Sequence, residues 1–438
     1  MSGNEYSMLA HRVKSALQVV FGAGSPEGST WKAIKAIRLC HSLLSERGEV
    51  SGVKIAGEIL DFYTAMNAEN RAAFFDELAG DFSPDPEAVG KAGEAYRLEP
   101  SAASLARLQE VVESPRQELF RRLNTAPGAT AMLVALRGEL FADLAKHGNW
   151  EPVAGDLGHL FTSWFNPGFL TLRQIDWDSP ASILEKVIAH EAVHEIQGFS
   201  DLRRRLAADR RCYAFFHPAL PDEPIIFIEI ALTRDLADRV QVLLDPKAPI
   251  YDPSLANSAI FYSITNCLDG LRGVPFGSFL IKQVVEDLRS RLPNLRRFAT
   301  LSPVPGFAAW LKKQARYKEL EPLLAQPEWF TNRELAGRLE NELVPLCARY
   351  LLRARSGKEP ADPVARFHLR NGAELERIDW LGDVSPAGMQ RSFGLMANYV
   401  YRLPDIERNH ELYTREYRVT AAPSIRSMVR MAEQAPAE

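Results

Sequence analysis

The pattern of apolar and polar positions divides the chain into two parts. In residues 1–150 apolar side chains recur every three or four positions, as in Leu133, Leu136 and Leu140. This spacing places them on one face of an α-helix. The run Ser114-Pro115-Arg116-Gln117 is typical of a helix start, with serine as N-cap, proline at the first helical position and glutamine closing a capping box. We therefore predict an all-helical domain over residues 1–150, used for packing or assembly.

After residue 150 short apolar runs alternate with helical patterns. Leu170 to Arg173 alternates apolar and polar residues, as in a half-buried strand. Residues 212–216 and 225–232 are apolar runs on either side of a proline-containing turn, which predicts a β-hairpin. Glu229 is charged within the second run, where a salt bridge or a backbone contact is the ordinary explanation. Residues 151–438 are therefore predicted to form an α+β domain with a mixed, mostly antiparallel sheet.

The stretch from Ala259 to Trp310 predicts a strand, a glycine-containing loop, a helix and a second strand. The apolar face of its helix is traced by Phe276, Leu280, Ile281, Val284, Val285 and Leu288. Two further helices are predicted, one from Ser179 through His194 and a final one over roughly Met389 to Tyr401.

Composition narrows the possible partners. The 438 residues carry 52 basic and 56 acidic side chains, a net charge of -4, so nothing indicates binding to nucleic acid or to a membrane surface. No apolar run reaches the roughly 18 residues of a membrane span. The four cysteines lie far apart without a CxxC pair, which favours a reducing compartment. We read no secretory signal and expect a cytoplasmic protein.

His190-Glu191-Ala192-Val193-His194 matches the HExxH pattern of zinc hydrolases. On a helix the two imidazoles would share a face, and Glu191 could serve as the general base. No third ligand follows at a typical spacing, so a helix with hydrogen-bonded histidines is the simpler interpretation and no metal site is predicted.

The loop of the Ala259–Trp310 stretch has the features of an anion-binding site. Its seven residues are Arg272, Gly273, Val274, Pro275, Phe276, Gly277 and Ser278. Glycines allow close backbone approach, and free N–H groups at a helix start attract phosphate, with Arg272 as a charged donor. The loop is neither a Walker loop nor GxGxxG, but it is similar to the pyrophosphate loop of acyl-CoA N-acetyltransferases. A turn that merely begins a helix fits the same residues.

Two polar residues elsewhere are candidates for chemistry. Ser302 lies at the end of a strand before Pro303, which restricts its backbone. His368 lies between apolar residues in Phe367-His368-Leu369. The ordinary explanations are a turn-capping serine and a core histidine, and the spacing alone does not pair them.

Several long segments, in order, resemble the malonyl-CoA decarboxylase family. They include AIFYSITNCLDGLRGVPFGSFLIKQVVEDL, FATLSPVPGF, VARFHLRNGA, SFGLMANYVYRL and EKVIAHEAVHEIQGFSDLRRRL. The resemblance covers about Leu160 to Tyr401 and is looser in the helical N-terminal part.

The resemblance implies a carboxy-lyase that converts malonyl-CoA to acetyl-CoA and CO2 without a metal or organic cofactor. It implies an acetyltransferase-like catalytic domain, a CoA-binding loop at Arg272 to Ser278, and a catalytic pair matching Ser302 and His368. The family does not depend on the first histidine of the HExxH match. Family members form dimers or tetramers, so a homo-oligomer is expected, and bacterial members are cytoplasmic.

The implied chemistry leaves the division of roles open. We expect Ser302 to hydrogen-bond the malonyl carboxylate and His368 to stabilise or protonate the enolate. Asn398, Tyr399 and Tyr401 are expected to line the pocket. Three alternatives remain at this point: an acyl-CoA-dependent acyltransferase, a zinc hydrolase at His190 and His194, and a catalytically silent CoA-binding protein.

Overall fold

The structure is a computed structural model that describes residues 30–45, 47–274, 276 and 279–434. These residues fall into two compact units. The first comprises the chain up to Phe161 together with Asp269–Leu271, and the second comprises Thr162–Leu268 and the chain from Arg272 onward. Among the described residues, no helix combines the length and apolar character that a membrane span requires.

The first unit is built from amphipathic helices. These are α1 (Thr30–Leu44), α2 (Arg47–Thr64), α3 (Ala68–Gly80), α4 (Pro86–Leu98), α5 (Ala102–Val112), α6 (Pro115–Leu123), α7 (Ala129–Asp143) and α8 (Glu151–Trp164), whose last turn passes into the second unit. Leu133, Leu136 and Leu140 are buried on one face of α7, as their spacing predicts.

The predicted capping box at the start of α6 is wrong in one respect. Pro115 does begin the helix, but the Ser114 side chain makes no capping hydrogen bond. Its hydroxyl donates instead to Asp156, at 2.7 Å, and the same carboxylate oxygen accepts from Arg116 at 2.6 Å. The hydroxyl predicted to cap the helix therefore binds a partly buried ion pair instead.

The second unit is organised around an eight-stranded sheet. Its strands are β1 (Thr171–Ile175), β2 (Arg210–Phe216), β3 (Ile226–Thr233), β4 (Ser258–Asn266), β5 (Arg297–Thr300), β6 (Ser302–Pro303), β9 (Glu374–Asp379) and β10 (Met396–Val400). The order is β1-β2-β3-β4-β5-β10-β6, with β9 also paired to β10. A separate two-stranded ribbon joins β7 (Arg355–Ser356) to β8 (Glu359–Pro360). All pairs are antiparallel except β4 with β5, which confirms the predicted α+β class with a mixed, mostly antiparallel sheet.

Helices make up much of the rest of the second unit. They are α9 (Ala181–His190), α10 (Phe199–Arg205), α11 (Val240–Leu244), α12 (Phe279–Arg291), α13 (Phe307–Leu311), α14 (Tyr317–Leu324), α15 (Arg333–Arg353), α16 (Pro363–Arg370), α17 (Pro386–Ser392), α18 (Ile406–Glu416) and α19 (Pro423–Gln434). The helix predicted over Met389–Tyr401 is wrong, because that segment is the end of α17 followed by β10. All five residues of β10 are buried, as befits a strand covered on both faces.

The sheet opens at one point between β4 and β5. Their parallel pairing runs from Ser258 with Arg297 to Phe261 with Thr300 and goes no further in these described strands. At the same level β4 carries a bulge: Ser263 pairs with Glu229 and Phe261 with Ile230, which leaves Tyr262 as an extra residue. A bulge bends its strand and re-aims the side chains beside it. Beyond Phe261, β4 therefore has a free edge that faces β6 and its Ser302.

Candidate active site

His368 is presented by a short and firmly capped helix. The Asp362 carboxylate accepts the backbone N–H groups of Val364 at 3.0 Å and Ala365 at 2.9 Å, and Pro363 occupies the first turn of α16. Both residues favour a helix start, because they satisfy or remove N–H groups that have no intrahelical partner. His368 lies in the last turn of α16 and is buried, with 3% of its surface exposed.

Ser302 is presented by the sheet. It forms β6 with Pro303 and pairs with Ala397 of β10. The hydroxyl of Ser302 donates to Thr300 Oγ1 at 2.8 Å, and the same Thr300 oxygen accepts the backbone N–H of Tyr399 at 3.2 Å. These contacts hold Ser302 in place, so its hydroxyl is part of a hydrogen-bonded network and not a free turn cap.

The structure brings Ser302 and His368 together. Ser302 Oγ lies 2.9 Å from His368 Nε2, and His368 Nδ1 lies 2.8 Å from the hydroxyl of Tyr401. Since the Ser302 hydrogen is donated to Thr300, the Nε2 nitrogen must carry a hydrogen and donate it to Ser302. Nδ1 then accepts from the Tyr401 hydroxyl. The result is a directed chain from Tyr401 through His368 and Ser302 to Thr300.

Burial sets the protonation states of His368 and Tyr401 in this hydrogen-bonded series. It lowers the pKa of His368 from its ordinary 6.5 to about 3, because the imidazolium would lose its hydration. Burial also raises the pKa of the Tyr401 phenol well above its usual 10. At neutral pH both groups are therefore uncharged, with the Tyr401 proton held by oxygen.

Ser302 and His368 lie on the wall of a cavity of about 520 Å³ that belongs to the second unit. This volume is within the range of small-molecule sites. The lining of the cavity includes β4 from Phe261 onward, where the pairing of β4 with β5 ends. Its apolar walls come from β3, β4 and α12 and include Ile226, Ile228, Phe261, Ile264, Leu280 and Ile281.

Part of the predicted CoA loop also lines the cavity. Gly273, Val274 and Phe276 do so, while Arg272 adjoins them in the chain. Gly273 has φ +81°, a left-handed conformation that favours glycine, and a Cβ there would meet only open space. The predicted loop residues Pro275, Gly277 and Ser278 lie outside the described residues.

The expectation that Asn398, Tyr399 and Tyr401 line the pocket is wrong. Tyr399 and Tyr401 lie behind His368: the Tyr399 ring stacks on the imidazole at 4.8 Å between centroids, and Tyr401 binds Nδ1. The Asn398 side chain donates to the carbonyl oxygens of Thr300 at 2.8 Å and Ala237 at 3.2 Å. These three residues support His368 and Thr300 from behind and are not part of the cavity wall.

The helix predicted from Ser179 through His194 is also wrong at its end. α9 stops at His190, so His190 and His194 do not share a helical face, which the zinc-hydrolase hypothesis needs. His190 Nε2 lies 3.6 Å from Glu223, and His194 is buried. Among the described residues, no group of three or more histidine, cysteine or acidic side chains could hold a metal ion.

Two protein-family models match most of this chain. The malonyl-CoA decarboxylase N-terminal domain matches residues 82–165, and the malonyl-CoA decarboxylase C-terminal domain matches residues 168–438. The chain belongs to the malonyl-CoA decarboxylase family. Relatives include the mitochondrial malonyl-CoA decarboxylases of Anser anser anser, 34% identical over 422 residues, and of Rattus norvegicus, 32% identical over 415 residues. The first alignment covers 86% of this chain and 84% of the relative, and the second covers 85% and 84%.

Solved structures from the same family resemble the whole fold. The malonyl-CoA decarboxylase of Rhodopseudomonas palustris has a TM-score of 0.85 and that of Agrobacterium vitis has a TM-score of 0.84. Each is 48% identical to this chain, and each match covers 90% of this chain and 99% of the solved one. The resemblance of the quoted sequence segments to this family is confirmed.

Several polar residues at the site were not predicted from the sequence, Asn266 and Asn371 of the cavity wall among them. Ser263 of β4 and Arg366 and Arg370 of α16 line the cavity, and Thr300 supports Ser302. Arg366 and Arg370 lie two residues before and two residues after His368, and this spacing is a signal for charged groups near the site that the sequence already contains. Ser263 and Thr300 sit in ordinary strand patterns, and only the bulge and the register bring them to the site.

Proposed function

We propose that this chain decarboxylates malonyl-CoA to acetyl-CoA and CO2 in the cavity of its second unit. The observation that carries the proposal is the 2.9 Å hydrogen bond between Ser302 and His368 on the wall of that cavity, in a chain of this family. The thioester carbonyl is itself the electron sink for the reaction. The chemistry therefore needs orientation, stabilisation of an enolate and delivery of a proton, and no organic cofactor or metal ion.

Ser302 is proposed to bind the malonyl carboxylate. Its hydroxyl can turn from Thr300 to a carboxylate oxygen, and it would hold the breaking C–C bond out of the thioester plane. The electron pair of that bond then enters the carbonyl π system and CO2 leaves. The backbone of β4 beyond Phe261 has no β5 partner, so N–H groups of this free edge are available to the enolate oxygen.

His368 is proposed to protonate the α-carbon. Its Nε2 proton points at Ser302, next to the place where CO2 departs, and Tyr401 fixes that tautomer. The neutral ring gives its Nε2 proton to the α-carbon while Nδ1 takes the hydroxyl proton of Tyr401. Solvent then reprotonates Nε2 as Nδ1 returns its proton to Tyr401. The proton consumed in each turnover comes ultimately from solvent. The apolar walls exclude water from the enolate while this happens.

A single assay tests the proposed activity. We expect the purified protein to release CO2 from malonyl-CoA and to form acetyl-CoA stoichiometrically, with no acyl acceptor present and with EDTA in the buffer. An acyltransferase would require an amine acceptor and release CoA. A zinc hydrolase would lose activity in EDTA. Binding of malonyl-CoA without CO2 release would leave a CoA-binding protein and would contradict the proposal.

The pH dependence follows from the lowered pKa of His368. The value of kcat/KM reports the free enzyme, in which this pKa is about 3, so we expect kcat/KM to stay flat from about pH 5 to 8. The folded pKa lies below the ordinary 6.5, so the stability contributed by the neutral ring is complete above pH 6.5 and is lost as the pH falls toward 3. An acid limb in kcat/KM centred near 6.5 would contradict the neutral role of His368.

The assembly and location of the protein remain proposals of the same kind. Two relatives are named mitochondrial, whereas the more similar solved structures are bacterial, and on the latter we propose a homo-oligomer, a dimer or a tetramer, in the cytoplasm. Light scattering coupled to gel filtration would measure the first, and cell fractionation the second.

A further inference from the structure

Phe261 is the residue at which β4 and β5 separate. It is the last residue of β4 in register with β5, where its partner is Thr300, and its carbonyl oxygen accepts the backbone N–H of Leu301 at 3.0 Å. The cavity is lined by β4 from Phe261 onward. Phe261 therefore lies at the end of this lining where the two strands are still paired.

The ring of Phe261 lies on the cavity side of the sheet. On β3, Phe261 is in register with Ile230, which shares a face with the cavity-lining Ile228 because side chains alternate along a strand. The same alternation places Ile260 on the opposite face, where it packs in a core cluster with Leu301. Phe261 is buried, with 1% of its surface exposed, so its ring is a packed part of the cavity wall.

The register also brings this ring beside Ser302. Thr300 lies opposite Phe261, and Ser302 is two residues further along the chain. The hydroxyls of Thr300 and Ser302 bond to each other at 2.8 Å, so both side chains project from the same face as the ring. An aromatic side chain reaches such a diagonal neighbour. Since His368 Nε2 lies 2.9 Å from Ser302 Oγ, the ring and the reacting groups border the same end of the cavity.

This arrangement limits the space around the reacting carbon. The proposed mechanism holds the malonyl carboxylate at Ser302, and the α-carbon is bonded directly to that carboxylate. The two hydrogens of the α-carbon therefore lie in the part of the cavity that the Phe261 ring closes. A methyl group in place of one hydrogen would need additional volume there, and a close-packed wall provides it only if a side chain moves.

We propose that Phe261 is a specificity-determining residue, whose ring closes the acyl end of the cavity and excludes a branch on the α-carbon of the substrate. The inference rests on the proposed function, since it assumes that malonyl-CoA is decarboxylated at Ser302 and His368. The rest of the substrate extends away from the ring along β4, toward Asn266 and Gly273, which also line the cavity. The site therefore accepts malonyl-CoA and discriminates against methylmalonyl-CoA.

Racemic methylmalonyl-CoA tests this role, because loss of CO2 and gain of one proton convert it to propionyl-CoA by the same steps. For the wild-type protein we expect kcat/KM to favour malonyl-CoA by about 10- to 200-fold, the range that one extra carbon in an apolar pocket produces. Phe261→Leu, which makes the side chain smaller and keeps it apolar, should lower this preference about tenfold. Release of CO2 and chromatography of the acyl-CoA products measure both reactions.

Phe227→Leu is the matched control for this variant. Phe227 is a fully buried phenylalanine of β3 that lies between the cavity-lining Ile226 and Ile228. Its own side chain packs in a core cluster on the opposite face of the sheet, outside the cavity wall. The control makes the same change in volume away from the site, so the wild-type preference should be kept within about twofold.

The outcomes separate selection by the ring from a general loosening of the sheet. The inference is wrong if the wild type uses both thioesters equally, if a folded Phe261→Leu keeps the wild-type preference, or if Phe227→Leu loses it to the same extent. Should Phe261→Leu fail to fold, Phe261→Met answers the question, because methionine nearly conserves the volume while its flexible chain yields to a methyl group; the preference should fall at least about threefold. A wild type that releases no CO2 from malonyl-CoA itself would overturn the proposed function, which is a separate result.

Discussion

Alanine in place of His368 is expected to lower kcat for malonyl-CoA decarboxylation on the order of a thousandfold. The substitution removes the Nε2 proton that points at Ser302, beside which the proposed mechanism places the departing CO2. Proton delivery by a positioned group is worth about two to four orders of magnitude. Because the ring is neutral in the free site, no charge is left unpaired by its removal. Malonyl-CoA should still bind, so kcat falls much more than KM rises, as a radiometric CO2 assay with titration calorimetry would measure.

His159→Ala is the matched control for this variant. His159 is an exposed histidine of α8, and its removal should leave kcat and KM unchanged. A thermal melt would check that His368→Ala is folded, since the ring also stacks on Tyr399. If His368→Ala turned over malonyl-CoA at a near-normal rate, the histidine would have no place in the mechanism.

The strands of the second unit could be predicted where burial produces a strong local pattern. β2, β3 and β4 are buried almost throughout, and their largely apolar runs, with a turn between the first two, indicated strands correctly. The same kind of apolar run led to the wrong prediction of a helix at β10. Met396 to Val400 has no polar–apolar alternation, so the sequence does not distinguish a strand covered on both faces from a buried helix. Only pairing with β5, β6 and β9, which depends on residues far away in the chain, makes it a strand.

The two central residues of the site could be named in advance, but their meeting could not be worked out from spacing. Ser302 and His368 are 66 positions apart, on a strand and on a helix, and only the family resemblance joined them before the structure showed their 2.9 Å contact. Tyr401, which lies within one of the segments that resemble the family, was expected on the wall of the pocket. Its place behind the imidazole follows from the course of the chain just beyond β10, which no local pattern reveals.

The residues of the HExxH match have a structural role in this protein and do not form a zinc site. The pattern requires a helix that continues through its second histidine, and α9 ends at the first. Glu191 then caps the turn that follows and reaches the β4 bulge, where Ser263 is its partner. An acidic side chain beside backbone N–H groups and a buried hydroxyl is stable without a metal, so five letters of sequence could not distinguish the two uses.

Alanine in place of Ser302 is expected to lower kcat about a hundredfold and to weaken malonyl-CoA binding about tenfold, while acetyl-CoA binds as before. The asymmetry follows from the proposed role, since only the substrate carries the carboxylate that the hydroxyl would hold. The variant also removes the acceptor of the His368 Nε2 proton, so the imidazole loses one of its two orienting bonds. Titration calorimetry with both thioesters, together with steady-state kinetics, measures each part.

Ser258→Ala provides the comparison for Ser302→Ala. Ser258 is a buried serine at the start of β4, outside the cavity, whose hydroxyl donates to Asn257 at 2.8 Å, and its removal should leave both affinities unchanged. Equal weakening of malonyl-CoA and acetyl-CoA by Ser302→Ala would mean that the hydroxyl supports the site without contacting the carboxylate. The carboxylate would then have to be held by another group on the cavity wall. Arg366 and Arg370 are charged donors there, and an ion pair between one of them and the malonyl carboxylate would become the contact to test.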